Sequence, residues 1–178
     1  MSLSYRRLDR DELARVGEID RTETIDTLYV QEGASLREVH GDFSAPSWGR
    51  DGTGEHSVAG QQAMLEHYVA KGAVCIGAFD DDRLVGIGVV CFHVRAGLAQ
   101  LAYLHVSRDS RGQGVGVALT TELERLAREA GDTAMVVSAT PSENTVRFYL
   151  HRGFAPMAEP LPELHELEPE DVHLEKRL

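Results

Sequence analysis

The chain has 178 residues, of which 42% are hydrophobic, and its 29 acidic and 18 basic side chains leave a net charge of −11. That balance argues against nucleic acid as a partner, because a phosphate backbone requires a basic surface. The sequence has no apolar run of about 18 residues, no stretch typical of a signal peptide and no Gly-Ser or Pro-rich linker. We therefore expect one cytoplasmic domain over residues 1–178 that does not enter a membrane.

Capping residues, turn residues and hydrophobic periodicity predict the order of the secondary structure. Asp9 and Glu12 have the spacing of a capping box, and Gly, Ser, Pro and Asp are concentrated where loops are expected. In chain order the predicted elements are a strand at 4–8, a helix from Asp9, a hairpin of 24–31 and 34–40, a loop at 41–55, a helix from Ser57 to Gly72, a hairpin of 73–79 and 84–94, a strand at 98–106, a helix at 115–130 and strands at 134–138 and 171–177.

The elements at 98–106, 115–130 and 134–138 form one βαβ unit. Such a crossover is right-handed in nearly all proteins, and it makes its two strands parallel. The hairpins before it add antiparallel strands. The predicted fold is therefore α+β, with a mixed, mostly antiparallel sheet, one parallel βαβ crossover and flanking helices.

A Gly-rich turn joins the first strand of this unit to its helix. Residues 104–118 read Leu-His-Val-Ser-Arg-Asp-Ser-Arg-Gly-Gln-Gly-Val-Gly-Val-Ala. Glycine lets the backbone come close to a ligand, and the first N–H groups of a helix have no internal partner and lie at its positive end. Such a turn favours a phosphate cradle, to which Arg108 and Arg111 could add charge. A purely structural turn is the alternative.

The spacing of the glycines separates three kinds of phosphate site. A P-loop requires Lys and Ser or Thr after its last glycine, but here Val117 and Ala118 follow. A dinucleotide fingerprint requires a longer step to its last glycine than the one found here, and an acid after the next strand, where 134–138 has none. What remains is the pattern Arg/Gln-x-x-Gly-x-Gly/Ala, which residues 111–116 satisfy.

A second block, Phe-Tyr-Leu-His-Arg-Gly-Phe at 148–154, follows at the expected distance. Together the two blocks resemble the GNAT superfamily of N-acetyltransferases, with an acyl-CoA-binding core over about 98–157. The resemblance implies that acetyl-CoA is the acyl donor, that the pantetheine arm inserts between two splayed parallel strands, and that Tyr149 is the general acid. The residues it places around the cofactor are His105, Val106, Arg111, Gly112, Gln113, Gly114, Val115, Gly116, Asn144, Phe148 and Arg152, with a backbone N–H near His105 and Val106 at the thioester carbonyl.

One position departs from the family pattern. Where the family often has an asparagine ahead of the tyrosine, this chain has Ser142, and Asn144 follows two residues later. Asn144 either contacts the cofactor or caps the helix that carries Tyr149.

The base that would accept the amine proton is not evident in the sequence. Many family members place Glu or His where this chain has Ala102, and strand alternation predicts that the His105 side chain faces away from Ala102. Residues 21–57 are expected to form the acceptor pocket. That region offers the candidate bases Glu23, Glu55 and His56, and Trp48 as either a pocket wall or a loop anchor.

Other features limit the chemistry without naming the acceptor. The eight histidines are scattered and no Cys-x-x-Cys occurs, so we expect no metal site, and Cys75 and Cys91 read as buried thiols. The acidic residues near the carboxyl end predict a solvated face, which could also attract a cationic amine. We expect a small-molecule or peptide amine as acceptor and a monomer or homodimer. A CoA-binding sensor without catalysis and a site for another phosphate ligand are the alternatives.

Overall fold

The computed structural model describes residues 2–178 and confirms the predicted fold class. A seven-stranded sheet has the order β1-β4-β5-β6-β7-β9-β8, and β2 and β3 form a separate two-stranded sheet. The strands are β1 Leu3–Arg7, β2 Glu23–Glu32, β3 Ser35–Ala45, β4 Val74–Asp80, β5 Arg83–Arg95, β6 Leu98–Val106, β7 Ala134–Ala139, β8 Ala155–Pro156 and β9 Val172–Arg177. The helices are α1 Val58–Ala70, α2 Val115–Glu129, α3 Glu143–His151 and α4 Pro162–Leu167, with 3-10 helices at Arg10–Glu18 and Arg108–Ser110.

The sheet opens in its middle, between β6 and β7. These two strands pair in parallel only from Leu98 opposite Ala134 to Gln100 opposite Val136. Beyond that point β6 continues along β5 as far as Val106, and β7 continues along β9. A gap therefore separates residues 101–106 from residues 137–139.

Helices cover both faces of the sheet. On the α2 face, Leu119, Leu123 and Ala127 form the buried stripe of α2 and join the core together with Val146 of α3. On the α1 face, the 3-10 helix at Arg10–Glu18 and helix α1 pack on the opposite side of the same strands. The gap between β6 and β7 lies between these two layers.

The β2–β3 hairpin is fastened across the carboxyl end of β7 and the amino end of β9. Tyr29 N–H donates to the Pro141 carbonyl at 2.8 Å. The Gln31 side chain donates to the Met157 carbonyl at 2.9 Å and to the His173 carbonyl at 3.1 Å, and it accepts from His173 N–H at 2.7 Å. The hairpin is thus held at the open end of the gap.

Several boundaries differ from the prediction. The loop predicted at 41–55 is partly wrong, because β3 continues to Ala45 and pairs with β2 there. The capping box after Asp9 begins a 3-10 helix. The carboxyl-terminal acidic segment contains α4, and its acidic side chains are exposed as predicted except for Asp171, which is partly buried.

Candidate functional site

The Gly-rich turn has the geometry of an anion cradle. Gly112 and Gly114 have φ of 75° and 83°, which side chains rarely adopt, and no atom lies within 4 Å of a Cβ built on either. Gly114 is the residue before α2 and offers no side-chain cap. The first hydrogen bond of the helix joins Ala118 N–H to the Gly114 carbonyl, so the N–H groups of residues 115–117 are free to bind an anion.

Gly116 serves a different purpose, because it allows two elements to approach each other. A Cβ at this position would lie 3.3 Å from the Phe148 ring and 3.7 Å from Val106. The beginning of α2 is therefore close to both α3 and the end of β6. This places the cradle directly beside the gap.

Arg111 and Gln113 hold the turn in shape. Arg111 Nε donates to the Val106 carbonyl at 3.1 Å, and its Nη1 donates to the Thr22 carbonyl at 3.2 Å. Gln113 Nε2 donates to the Asp109 carbonyl at 2.8 Å. The Arg111 guanidinium consequently ties the turn to β6 and to the segment before β2.

Backbone alternation decides which amide of β6 faces the gap. Ser107 N–H donates to the Val85 carbonyl at 2.8 Å, and in an antiparallel ladder every second residue makes such a bond. With His105 opposite Ile87 and Val106 opposite Gly86, the His105 amide is turned to β5 and the Val106 amide to the gap. Of these two predicted residues, only Val106 presents its N–H where a ligand could lie.

Tyr149 lies on α3, on the α2 face of the gap. Its side chain is 3% exposed, and its ring contacts the rings of Phe148 and Phe154 with centroids 5.2 Å and 5.4 Å apart. Within residues 2–178 its hydroxyl has no hydrogen-bond partner. Burial, and then the negative charge of Asp171, raise the pKa of Tyr149, so the hydroxyl keeps its proton at neutral pH.

Asp171 was not among the predicted site residues. It directly precedes Val172 of β9, which pairs with Ala139 at the end of β7. Asp171 therefore lies at the edge of the gap. Burial, and then the charges of Glu168 and Glu170, raise its pKa to about 7. No cation lies within salt-bridge distance of Asp171 among the residues described. The sequence signal was present only as one acid within an acidic run.

Glu168 lies near Asp171. Its side chain is exposed, yet enough protein surrounds it that burial raises its pKa, and the charge of Glu55 adds to this effect. Close by, the Ser138 hydroxyl and His173 Nδ1 are 3.1 Å apart, and His173 Nε2 is 3.1 Å from the Glu168 carbonyl. The α1 side of the gap is therefore acidic.

An aromatic cluster is formed by side chains from β6, from the loop before α1 and from the segment before β2. The His105 ring contacts Tyr103 at 4.7 Å and Trp48 at 5.2 Å between centroids, and the Arg21 guanidinium lies 4.3 Å above the Trp48 ring. Burial, and then the charges of Arg21 and Arg111, lower the pKa of His105 to about 4. His105 is neutral at pH 7.

The predicted orientation of His105 relative to Ala102 is wrong. Val89 pairs with Tyr103 and Val90 with Leu101, so Ala102 is the additional residue of a β-bulge. Ala102 packs into the α1-face core that also contains Tyr103, whose ring His105 contacts. The bulge shifts the alternation by one residue, which sequence periodicity does not reveal.

The remaining predicted residues lie around the rim. Asn144 does not cap α3, because the Ser142 hydroxyl accepts from Thr145 N–H, and Asn144 instead donates to Glu23 Oε1 at 2.8 Å. This contact borders a polar pocket of about 110 Å³ between β2 and α3. Glu55 and His56 are 77% and 71% exposed and lie 3.4 Å apart.

Arg152 is held by protein groups rather than left open. It donates to the Thr121 hydroxyl at 3.0 Å and lies 3.6 Å from Glu124, which also binds Lys176 at 2.7 Å. Its Nε atom is buried and has no hydrogen-bond partner in the described part of the chain. The arrangement anchors α3 to α2.

The rest of the molecule offers no second candidate site among residues 2–178. A groove of about 480 Å³ between β1 and α2 contains none of the predicted site residues. Within residues 2–178 there is no group of three or more His, Cys, Asp or Glu side chains suited to a metal ion, and no helix has the length and apolar character that a membrane crossing requires. Cys75 is a buried free thiol and Cys91 a partly buried one.

Comparisons with known proteins agree with the fold. The family model described as acetyltransferase (GNAT) matches residues 36–154. No curated protein matches the chain. The crystal structure of nourseothricin acetyltransferase is similar with a TM-score of 0.74 at 18% identity, covering 99% of each chain. The PaiA N-acetyltransferase of Thermoplasma acidophilum, solved with coenzyme A, has a TM-score of 0.65 at 18% identity and full coverage of both chains. An aminoglycoside 6'-N-acetyltransferase complexed with coenzyme A has a TM-score of 0.57 at 16% identity, covering 69% of this chain and 82% of its own.

Proposed function

The chain belongs to the GNAT acetyltransferase family, and from that premise we propose that it transfers an acetyl group from acetyl-CoA to a primary amine, with both substrates bound together. The observation that carries this proposal is the placement of the anion cradle, the Val106 amide and the Tyr149 hydroxyl around one gap in the sheet. A thioester supplies an activated acyl carbonyl. The protein must hold it, take a proton from the amine and give a proton to the departing sulfur.

The cradle fits the diphosphate of coenzyme A. Free N–H groups at residues 115–117 and two glycines with positive φ provide donors and close access without side-chain obstruction. Arg111 supports this role by fixing the turn, while Phe148 forms the wall of the groove beside Gly116. The gap between β6 and β7 then receives the pantetheine arm.

The Val106 N–H is positioned to polarise the thioester carbonyl. Negative charge develops on that oxygen as the amine attacks, and a fixed backbone donor at the edge of the gap stabilises it. Arg111 Nε binds the Val106 carbonyl, which belongs to the next peptide group, so the backbone is fixed on the carboxyl side of this donor.

Tyr149 serves as the general acid in this proposal. As the new C–N bond forms and the C–S bond breaks, the departing sulfur requires a proton. The raised pKa of Tyr149 keeps its hydroxyl protonated until that step, and the hydroxyl has no competing partner within residues 2–178.

Asp171 serves as the base. The acceptor amine is mostly protonated at neutral pH and must lose a proton before it can attack. A carboxyl group with a pKa of about 7, at the edge of the gap, can accept that proton and return it to solvent. The partly buried Glu23 and the exposed Glu55 and His56 then have the role of attracting a cationic acceptor. A CoA-binding sensor was suggested by the lack of an acid or histidine at position 102, and Asp171 removes that reason.

The test is release of the free CoA thiol from acetyl-CoA over a panel of primary amines. We expect activity with at least one amine, and a fall in kcat of about 10²- to 10³-fold in Tyr149→Phe. Tyr5→Phe, at a half-exposed position on β1, is the matched control and should retain full activity. No release with any amine would overturn the proposal, and full activity in Tyr149→Phe would remove the acid role.

A further inference from the structure

Arg21 is a cation whose backbone is fixed beside the proposed active site. The preceding residue, Asp20, makes two hydrogen bonds to the segment that follows β6. Its carbonyl accepts from Arg108 N–H at 2.9 Å, and its N–H donates to Ser107 Oγ at 3.0 Å. The following residue, Thr22, accepts from Arg111. The position of Arg21 is thus set by the same turn that forms the cradle.

The guanidinium of Arg21 has no anionic partner in the protein. It is partly buried above the Trp48 ring, and within residues 2–178 no carboxylate oxygen lies within 4.0 Å of it. Its Nη1 atom lies 3.5 Å from His56 Nδ1. By contrast, the half-buried Lys176 and Arg152 share Glu124. In a chain with 29 acidic residues, an unpaired half-buried arginine indicates a place for an anion that is not part of the protein.

Trp48 adds an unused hydrogen-bond donor. Its side chain is 7% exposed, and its indole Nε1 is buried without a hydrogen-bond partner among residues 2–178. Leaving a buried N–H group unpaired destabilises a protein, so such a group usually has a partner in the functional state. His105 beside it is neutral at pH 7, so Arg21 supplies the positive charge of this cluster.

We propose that Arg21 and Trp48 form a carboxylate subsite for the acceptor, so that the substrate is an amine that also carries a carboxylate group. A single guanidinium matches the single charge of a carboxylate. A phosphate dianion fits less well, because Glu23 is close enough for its negative charge to act on Arg21.

The subsite also explains how the acceptor is oriented. Glu55 is next to His56, which contacts Arg21. The negative charge of Glu55 also raises the pKa of Glu168. The positive subsite and the acidic group at Glu168 and Asp171 therefore border the same acceptor region. A carboxylate held at Arg21 limits the orientations in which the amine of the same acceptor can enter this region. This orientation rests on the proposed acetyl transfer, whereas carboxylate binding by itself does not.

Trp48 is the only tryptophan of the chain, so its fluorescence reports on this subsite alone. The wild-type protein is titrated with N-acetylglycine and with N-acetylglycinamide, its uncharged isostere, at constant ionic strength in sodium chloride, and inorganic phosphate is a third probe. We expect a saturable change that N-acetylglycine produces at a concentration about 10- to 100-fold lower than the amide does. Equal responses to the two probes, no response to either, or a response to phosphate alone would overturn the proposal.

Arg21→Gln should abolish the preference for the carboxylate, and Arg21→Lys should retain part of it. Arg125→Gln removes an exposed arginine of α2 that pairs with Glu122 and should behave as wild type. Should Arg21→Gln fail to fold, the wild-type preference and Arg21→Lys still decide the question.

Turnover separates this inference from the proposed function. CoA release is compared for amino acids and their carboxamides. We expect kcat/KM to favour the acids by about 10- to 100-fold in wild type, and to be the same for both in Arg21→Gln. Carboxylate binding without CoA release from any amine would contradict the proposed function alone. Acetylation of both amine classes at equal rates would contradict the subsite alone.

Discussion

The two sides of the gap between β6 and β7 are built in different ways. On the α2 side, the cradle consists of backbone groups supplied by one continuous segment, residues 106–117. On the α1 side, the surface consists of side chains from Arg21, Trp48, His105 and Asp171, which are far apart in the sequence. A site made of backbone requires glycines at fixed spacing, whereas a site made of side chains can be assembled from any segments that the fold brings together.

Removing the proposed base should have the largest effect. In Asp171→Asn we expect kcat/KM to fall by about 10²- to 10³-fold, because the amide side chain cannot accept a proton from the amine. In wild type, activity should rise with pH through about 7 as Asp171 ionises, and this limb should be absent from the variant. A pH profile of kcat/KM measures both effects.

The same variant should gain stability where it loses activity. An unfolded aspartate has a pKa of about 3.9, so the raised pKa of Asp171 means that the folded state holds its proton longer. Folding stability is therefore lost as pH rises from about 4 through about 7, and the asparagine variant does not suffer this loss. Relative to wild type, we expect a higher Tm at pH 8 and no gain below pH 4. Glu175→Gln, at an exposed position on β9, is the control. A pH profile unchanged in Asp171→Asn would exclude the base role.

The contrast between the two sides explains which parts the sequence could predict. Glycine spacing, together with the Phe148 to Phe154 block, indicated the cradle and Tyr149, and capping residues and periodicity indicated most strands and helices. The sequence could not indicate Asp171, because its environment comes from β7 and α3. Nor could it reveal the bulge at Ala102, which depends on pairing with β5.

Gln31 tests whether the α1 side depends on the hairpin anchor. Gln31→Ala removes the hydrogen bonds to Met157 and His173 and leaves their backbone groups without these partners. We expect a loss of about 2 kcal/mol in the free energy of unfolding. The KM for the amine should rise while the KM for acetyl-CoA stays constant. Gln62→Ala, which removes only a contact with Glu66, should change neither. Equal increases in both KM values would show that the hairpin supports the entire gap.

Two glycines with the same backbone conformation allow a direct comparison of the sides. Gly114 in the cradle and Gly52 in the loop before α1 have φ of 83° and 84°, and neither has an atom within 4 Å of a built Cβ. Replacing either with alanine imposes the same backbone strain, which costs about 1–2 kcal/mol. Only Gly114→Ala should raise the KM for acetyl-CoA, by about tenfold, because it displaces N–H groups that bind an anion. If Gly52→Ala raised this KM equally, the cradle would have no special role.

The smallest effects are expected from two helix caps, one on each side. The Ser57 hydroxyl accepts from Gly60 N–H at the start of α1, and the Ser142 hydroxyl accepts from Thr145 N–H at the start of α3. Each substitution by alanine should cost about 1 kcal/mol, measured by denaturant unfolding. The consequences for catalysis should differ, because α3 carries Tyr149, and this cap and the contacts with β2 help to hold its first turn. We therefore expect Ser142→Ala to lower kcat by a few-fold at constant KM for acetyl-CoA, and Ser57→Ala to leave kcat unchanged. An unchanged kcat in Ser142→Ala would mean that the packing of Tyr149 against Phe148 and Phe154 is sufficient to hold its hydroxyl, and that the acid is positioned by the core rather than by the helix start.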